Sequence, residues 1–79
     1  MKVTLTGYKE LDFKANGEEV KGLQLYITYK TPDVVGECAD KVFIRPENQD
    51  IMLIDPTQFV GESVEMEFDR KGHLVSVSA

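Results

Sequence analysis

The chain has 79 residues, which is enough for one domain, and a chain of this size buries only about 60–65% of the surface that its unfolded form exposes. A composition of 42% hydrophobic and 29% charged residues is ordinary for a folded domain and too apolar for a disordered one. No apolar run approaches the ~18 residues of a membrane span, and no signal-peptide core follows Met1. We therefore expect a cytoplasmic protein that has no membrane partner.

The net charge of −5 argues against nucleic acid as a partner, but the charges are unevenly distributed. Lysines outnumber acids between residues 1 and 30, whereas acids concentrate in the segment from Glu62 to Asp69. The single cysteine, Cys38, excludes an internal disulfide. With His73 as the only other soft ligand, an ordinary structural zinc site is excluded as well.

The chain begins with a pattern that is typical of a strand. Val3, Leu5, Leu11 and Phe13 occupy odd positions, and mostly polar residues lie between them. This period of two predicts a strand with one buried face. Gly7 interrupts the pattern, and a glycine at such a position indicates a bulge or a sharp bend.

A second strand is predicted after Asn16-Gly17, because both residues tolerate the positive φ of a type I′ turn. Its apolar residues again fall on odd positions. The simple register from this turn sets apolar Leu25 opposite Tyr8, which the alternation of the first strand places on the solvent face. A β-bulge near Gly22 would align the apolar faces and set Tyr8 beside Tyr26, and we predict it there.

The segment from residue 31 to residue 40 predicts a loop, because Pro32 and Gly36 break any regular pattern. Its Val34-Val35 pair is expected to insert into the core. Lys41–Arg45 then predicts a short third strand, in which cation, ring and cation alternate along one face.

The last third of the chain predicts a helical turn and a second hairpin. Asp55-Pro56 indicates an N-cap followed by proline at the first helical position, whereas Ile51–Ile54 is too short to assign. Ser63–Asp69 and Leu74–Ser78 alternate around a glycine-containing turn. The predicted fold is all-β: one domain over residues 1–79, a small five-stranded barrel of the oligonucleotide-binding (OB) type, or alternatively an SH3-like barrel.

The sequence offers no constellation for catalysis. It has no glycine-rich phosphate loop, no serine or cysteine elbow and no paired-histidine motif. Glu65, Glu67 and Asp69 share one face at strand spacing, which we interpret as a solvated acidic surface rather than a metal site. We therefore expect no enzyme, no metal and no cofactor.

Aromatic and basic side chains are more informative. Binding of a single strand of nucleic acid requires flat side chains on which bases stack, together with cations along the backbone. Tyr8 and Tyr26 are predicted to form an exposed pair, and Phe13 and Tyr29 are predicted to lie in the core. For Phe43 the sequence leaves both an exposed and a core position open. The candidate nucleic-acid-binding residues are Tyr8, Lys9, Lys21, Tyr26, Lys30, Lys41, Phe43 and Arg45.

Several segments together resemble a known group of proteins. They are the opening Met1–Lys9, Leu11–Phe13, the strand Gly22–Tyr29, Lys41–Ile44, and the closing Val60–Val64 and Phe68–Gly72. In these segments the chain resembles small helix-destabilising proteins encoded by phages, plasmids and conjugative elements of Gram-positive bacteria. Those proteins are similar in size and architecture to the gene V single-stranded DNA-binding proteins of filamentous phages, which are dimeric five-stranded barrels.

The resemblance implies a homodimer that coats single-stranded DNA non-specifically and supports DNA replication of a phage or mobile element. It also implies that the candidate residues named above, apart from Lys21, make the contacts, and RNA stays open as the ligand. The acidic composition keeps a different function open. In that alternative the chain is a protein-interaction module that does not bind nucleic acid and that contacts a replication or host protein through an open sheet edge or through the Val34-Val35 loop.

Overall fold

The computed structural model describes all residues, 1–79, and contains five strands and two short 3-10 helices. The strands are β1 (Lys2–Ala15), β2 (Glu18–Tyr29), β3 (Cys38–Ile44), β4 (Ser63–Phe68) and β5 (Leu74–Ser78), and the 3-10 helices are Pro46–Ile51 and Pro56–Gln58. The predicted all-β class is confirmed. Neither helix has the length and apolar character that crossing a membrane would require.

The five strands form one antiparallel sheet in the order β3-β2-β1-β4-β5. β1 is the central strand, because its residues 2–4 pair with β4 while most of its length pairs with β2. β3 accompanies β2 only as far as Leu23, which lies opposite Glu10, so the β1–β2 hairpin extends past the rest of the sheet beyond that position. This arrangement is compatible with a small β-barrel.

One β-bulge exchanges the two faces of β1. Leu5 pairs with Ile27 and Gly7 pairs with Tyr26, so that Thr6 has no partner residue. The Thr6 hydroxyl donates a hydrogen bond to the carbonyl of Tyr26 at 3.1 Å. Because side chains alternate along a strand, the inserted residue turns odd positions from the core face to the solvent face. The irregularity predicted at Gly7 is confirmed.

The prediction of a second bulge near Gly22 is wrong. Pairing runs without a shift from the turn to Gly7. The turn itself is as predicted, with φ of 54° at Asn16 and 79° at Gly17. Tyr8 therefore lies opposite Leu25 and packs, half-buried, against the core. The predicted pairing of the two tyrosines on the solvent face is wrong for the same reason.

The core draws on every strand. Its fully buried residues are Val3, Leu5, Leu25, Ile27, Ile44, Val64, Met66 and Val77. Tyr29 packs against them, as predicted. Phe13 was predicted to lie in the core, but it is 49% exposed because the bulge turns it outward. Val34 and Val35 are 41% and 105% exposed, so the predicted insertion of this pair into the core is wrong.

The chain between β3 and β4 holds both 3-10 helices. The first occupies a segment for which the sequence predicted no regular element. The second begins as predicted at Asp55, whose carboxylate accepts hydrogen bonds from the hydroxyl and the backbone N–H of Thr57 at 2.7 and 3.0 Å. These two bonds lower the pKa of Asp55 below its ordinary value, and the bond from the hydroxyl has the larger effect.

The two edges of the sheet differ. The β5 edge is covered at Val77, because Met52 bridges to this residue and the N–H of Leu53 donates to its carbonyl at 2.9 Å. The β3 edge has no partner strand in this chain. A groove of about 560 Å³ lies beside it, and Phe43 of β3 and Phe68 of β4 are among its lining residues.

Position 22 requires glycine for two reasons, a close contact with β3 and a backbone conformation with positive φ. Its φ is 155°, and a Cβ atom there would lie 2.5 Å from the Phe43 ring and 2.6 Å from the carbonyl oxygen of Ile44. A backbone carbonyl cannot move aside as a side chain can. We expect Gly22→Ala to lower the free energy of unfolding by about 2–4 kcal/mol, measured by urea denaturation.

Gly7→Ala is the matched control, because no atom lies within 4 Å of a Cβ built there and its φ is not positive. We expect this change to stay within about 1 kcal/mol of the wild type. Equal stability of the two variants would contradict the close approach at Gly22.

Candidate nucleic-acid interface

β1, β2 and β3 turn one side away from the core, and we call this side the outer face. It consists of odd positions of β1 after the bulge, even positions of β2 and odd positions of β3. The register sets its side chains in rows across the three strands. One row is Gly7, Tyr26 and Lys41, and the next is Lys9, Gln24 and Phe43.

The outer face exposes three aromatic rings. Tyr26, Phe43 and Phe13 are 37%, 42% and 49% exposed. The Phe43 ring lies over the backbone of Gly22, which has no side chain to lift it. The Tyr26 hydroxyl accepts a hydrogen bond from Nε2 of Gln24 at 2.9 Å, so its ring leans along β2 toward that residue. Both rings are therefore held along the sheet surface, where a planar ligand can stack on them.

Charge is separated between the two sides of these strands. The cations on the outer face are Lys9 and Lys41, and Arg45 continues the same side just past the end of β3. The outer-face positions of β2 from residue 20 to residue 28 carry no carboxylate. The nearest carboxylate at an even position of this strand is Glu18, at the hairpin tip. The opposite side carries Glu10, Asp12, Glu19 and Asp40 together with Lys14 and Lys21.

The structure brings most of the predicted residues together. Lys9, Tyr26, Lys41, Phe43 and Arg45 share the outer face, and Lys30 is exposed directly after the end of β2. Tyr8 and Lys21 do not join them. Both line a groove of about 610 Å³ on the opposite side, where the Lys21 ammonium lies 3.8 Å from the carboxylate of Glu19.

Two residues of the outer face are absent from the predicted set, namely Phe13, which was predicted to lie in the core, and Gln24. The signal that could have found them is the Asn16-Gly17 turn. Its simple register sets Phe13 opposite Val20 and Lys9 opposite Gln24, which puts all four on the side of Tyr26.

Two acidic side chains of β4 and the following turn, Glu65 and Asp69, have separate partners. Glu65 accepts a hydrogen bond from the amino group of Met1 at 2.7 Å. Asp69 accepts bonds from the backbone N–H groups of His73 and Lys71 at 2.8 and 2.9 Å. The bond from the His73 N–H is the main cause that lowers the pKa of Asp69.

Comparison of the chain with protein-family models, with curated proteins and with solved structures finds no match. No relative therefore tests the resemblance described above. The function has to be inferred from the fold, from the register of the strands and from the chemistry of the outer face.

The carboxylate of Asp69 makes the stability of the fold depend on pH. The pKa of Asp69 in the folded chain lies below the ordinary value of 3.8, so its contribution is present above that value and is lost as pH falls through the folded pKa. We expect Asp69→Asn to be less stable than the wild type near neutral pH, and the difference to shrink below pH 3.8. Urea denaturation across this range measures both.

Asp33→Asn is the control, since Asp33 is an exposed carboxylate of the β2–β3 loop. It should follow the wild-type curve. If Asp69→Asn does the same, the carboxylate does not stabilise the turn.

Proposed function

We propose that this protein binds single-stranded nucleic acid, and specifically DNA, across the outer face without strong sequence preference. One observation carries the proposal: in a chain of net charge −5, the register collects exposed rings and cations on one face and turns neighbouring carboxylates to the other. Rings of this kind stack on bases for about 1–3 kcal/mol per base, and cations follow the phosphates.

The fold supports the same proposal. OB-folds are five-stranded, partly open barrels that bind oligonucleotides on the face of strands 2 and 3 and with the loops between strands 1 and 2 and strands 4 and 5. The strand order β3-β2-β1-β4-β5 and the short helices between β3 and β4 fit that topology. We therefore propose the OB type rather than the SH3-like type. The outer face is centred on the two strands that OB-folds use.

The rows of the outer face indicate how a strand would bind. Lys41 lies directly opposite Tyr26, and Lys9 lies on the other side of Gln24 from Phe43. Bases stacked on the two rings would thus bring their phosphates near a cation in each row. A protein that binds the single strand and not the duplex shifts the melting equilibrium by mass action. This is the helix-destabilising activity that the resemblance implies, in support of phage or mobile-element replication in the cytoplasm.

A second candidate function is binding of a protein, either another copy of this chain or a replication protein. The observation that favours it is the unpaired β3 edge, next to a loop whose Val35 is fully exposed. Free backbone N–H and C=O groups of an edge strand pair readily with an added strand. Sedimentation analysis over a range of concentrations tests the homodimer, and a monomer at every concentration would exclude it.

Lys41→Glu and Tyr26→Ala test the main proposal. We expect wild-type protein to bind a labelled oligo(dT) in fluorescence anisotropy, with log affinity falling by about 0.7 per phosphate contact for each tenfold rise in salt. Lys41→Glu should weaken binding and reduce that slope. Tyr26→Ala should weaken binding at least about fivefold, because it removes one stacking platform.

Lys14→Glu is the matched control, because it makes the same charge change on the opposite side of the hairpin. It should bind much more tightly than Lys41→Glu at equal salt. Equal losses in the two variants would show that only net charge matters, and an absence of wild-type binding at low salt would refute the function.

A further inference from the structure

Gln24 lies at the centre of the outer face and is half-buried there. It is on the middle strand of the three, directly opposite Phe43 on one side and Lys9 on the other. Its Nε2 donates one hydrogen bond to the hydroxyl of Tyr26 at 2.9 Å. The amide oxygen and the second N–H of Gln24 have no protein partner, so an acceptor and a donor stand free between two stacking rings.

A free amide at this place suits the edge of a base. Side chains directly opposite one another in an antiparallel pair have Cβ atoms about 4.5–5.5 Å apart, so a base stacked on Phe43 is within reach of Gln24. The Watson–Crick edge of each base sets a donor beside an acceptor, and a glutamine amide presents the complementary pair. In a single strand these edges are free, whereas in a duplex they are occupied by the other strand.

We propose that Gln24 hydrogen-bonds the free Watson–Crick edge of the base that stacks on Phe43. The inference rests on the proposed function, because it needs a single strand on the outer face. The amide can form such hydrogen bonds with any of the four bases, so it adds no sequence preference. It discriminates instead between an unpaired base and one whose edge is occupied, and Gln24 is thereby a determinant of the preference for single strands over duplex. The bond to Tyr26 fixes the amide in place.

The test compares oligo(dT) with an oligomer of the same length built from N3-methylthymidine. Methylation removes the N3–H donor and blocks the edge, while the ring still stacks and the phosphates are unchanged. We expect the wild type to bind oligo(dT) about fivefold or more tightly than the methylated oligomer, which corresponds to the loss of one or two hydrogen bonds. Gln24→Met keeps the length of the side chain and removes its polar atoms, and it should bind the two oligomers equally.

Gln58→Met is the matched control, since Gln58 is exposed in the second 3-10 helix, away from the outer face. It should discriminate as the wild type does. If wild type binds both oligomers equally well, or if Gln24→Met keeps the wild-type ratio, the inference is wrong while the proposed function stands. If wild type binds neither oligomer at low salt, the proposed function itself fails.

Discussion

A single inserted residue in β1 determines which side chains of the first hairpin reach solvent. Before Thr6, odd positions of the strand pack into the core, whereas after it the even positions face the core side, and of these Tyr8 packs against the core. The bulge therefore buries Tyr8 in part and turns Lys9 and Phe13 outward. Without it, pairing with β2 would leave either the apolar residues of β2 or those of early β1 in water, because a shift of one residue exchanges the faces of a strand.

The parts of the fold that were predictable from the sequence depend on local chemistry. The Asn16-Gly17 turn, the Asp55 cap and the second hairpin each follow from residues within a few positions of one another. The position of the bulge does not, because both Gly7 and Gly22 could mark one. Gly22 is present for a different reason, since Phe43 from β3 crosses its backbone, and that contact joins residues remote in sequence.

The candidate site was predictable in the same measure. The residues on β3 were found because cation and ring alternate along a short strand, and that pattern needs no partner strand to interpret. The residues on β1 and β2 depended on the register, so the predicted set contains Tyr8 and Lys21, which lie on the opposite side, and lacks Phe13 and Gln24, which lie on the outer face. The predicted third strand also began too late, because pairing with β2 extends β3 back to Cys38.

Net charge describes the outer face poorly. At physiological salt, charges more than about 8 Å apart in solvent are largely screened, so a bound phosphate responds mainly to the cations beside it. Along β1 and β2 acids and lysines are interspersed, which looks neutral in sequence. Because the period of a strand is two, Glu10 and Asp12 lie on one side, together with Lys14 and Lys21, whereas Lys9 lies on the other side with no acid of β1.

The two candidate functions use different chemical groups of the same strand. The side chains of Lys41 and Phe43 lie on the outer face of the sheet, whereas the unpaired N–H and C=O groups of the β3 edge lie in its plane. A strand added at that edge would leave the outer face open. If the added strand were β3 of a second copy, the outer faces of both copies would join into one surface, and a longer stretch of single strand could be bound there. Protein association at the edge and nucleic-acid binding on the face are therefore compatible and would reinforce each other.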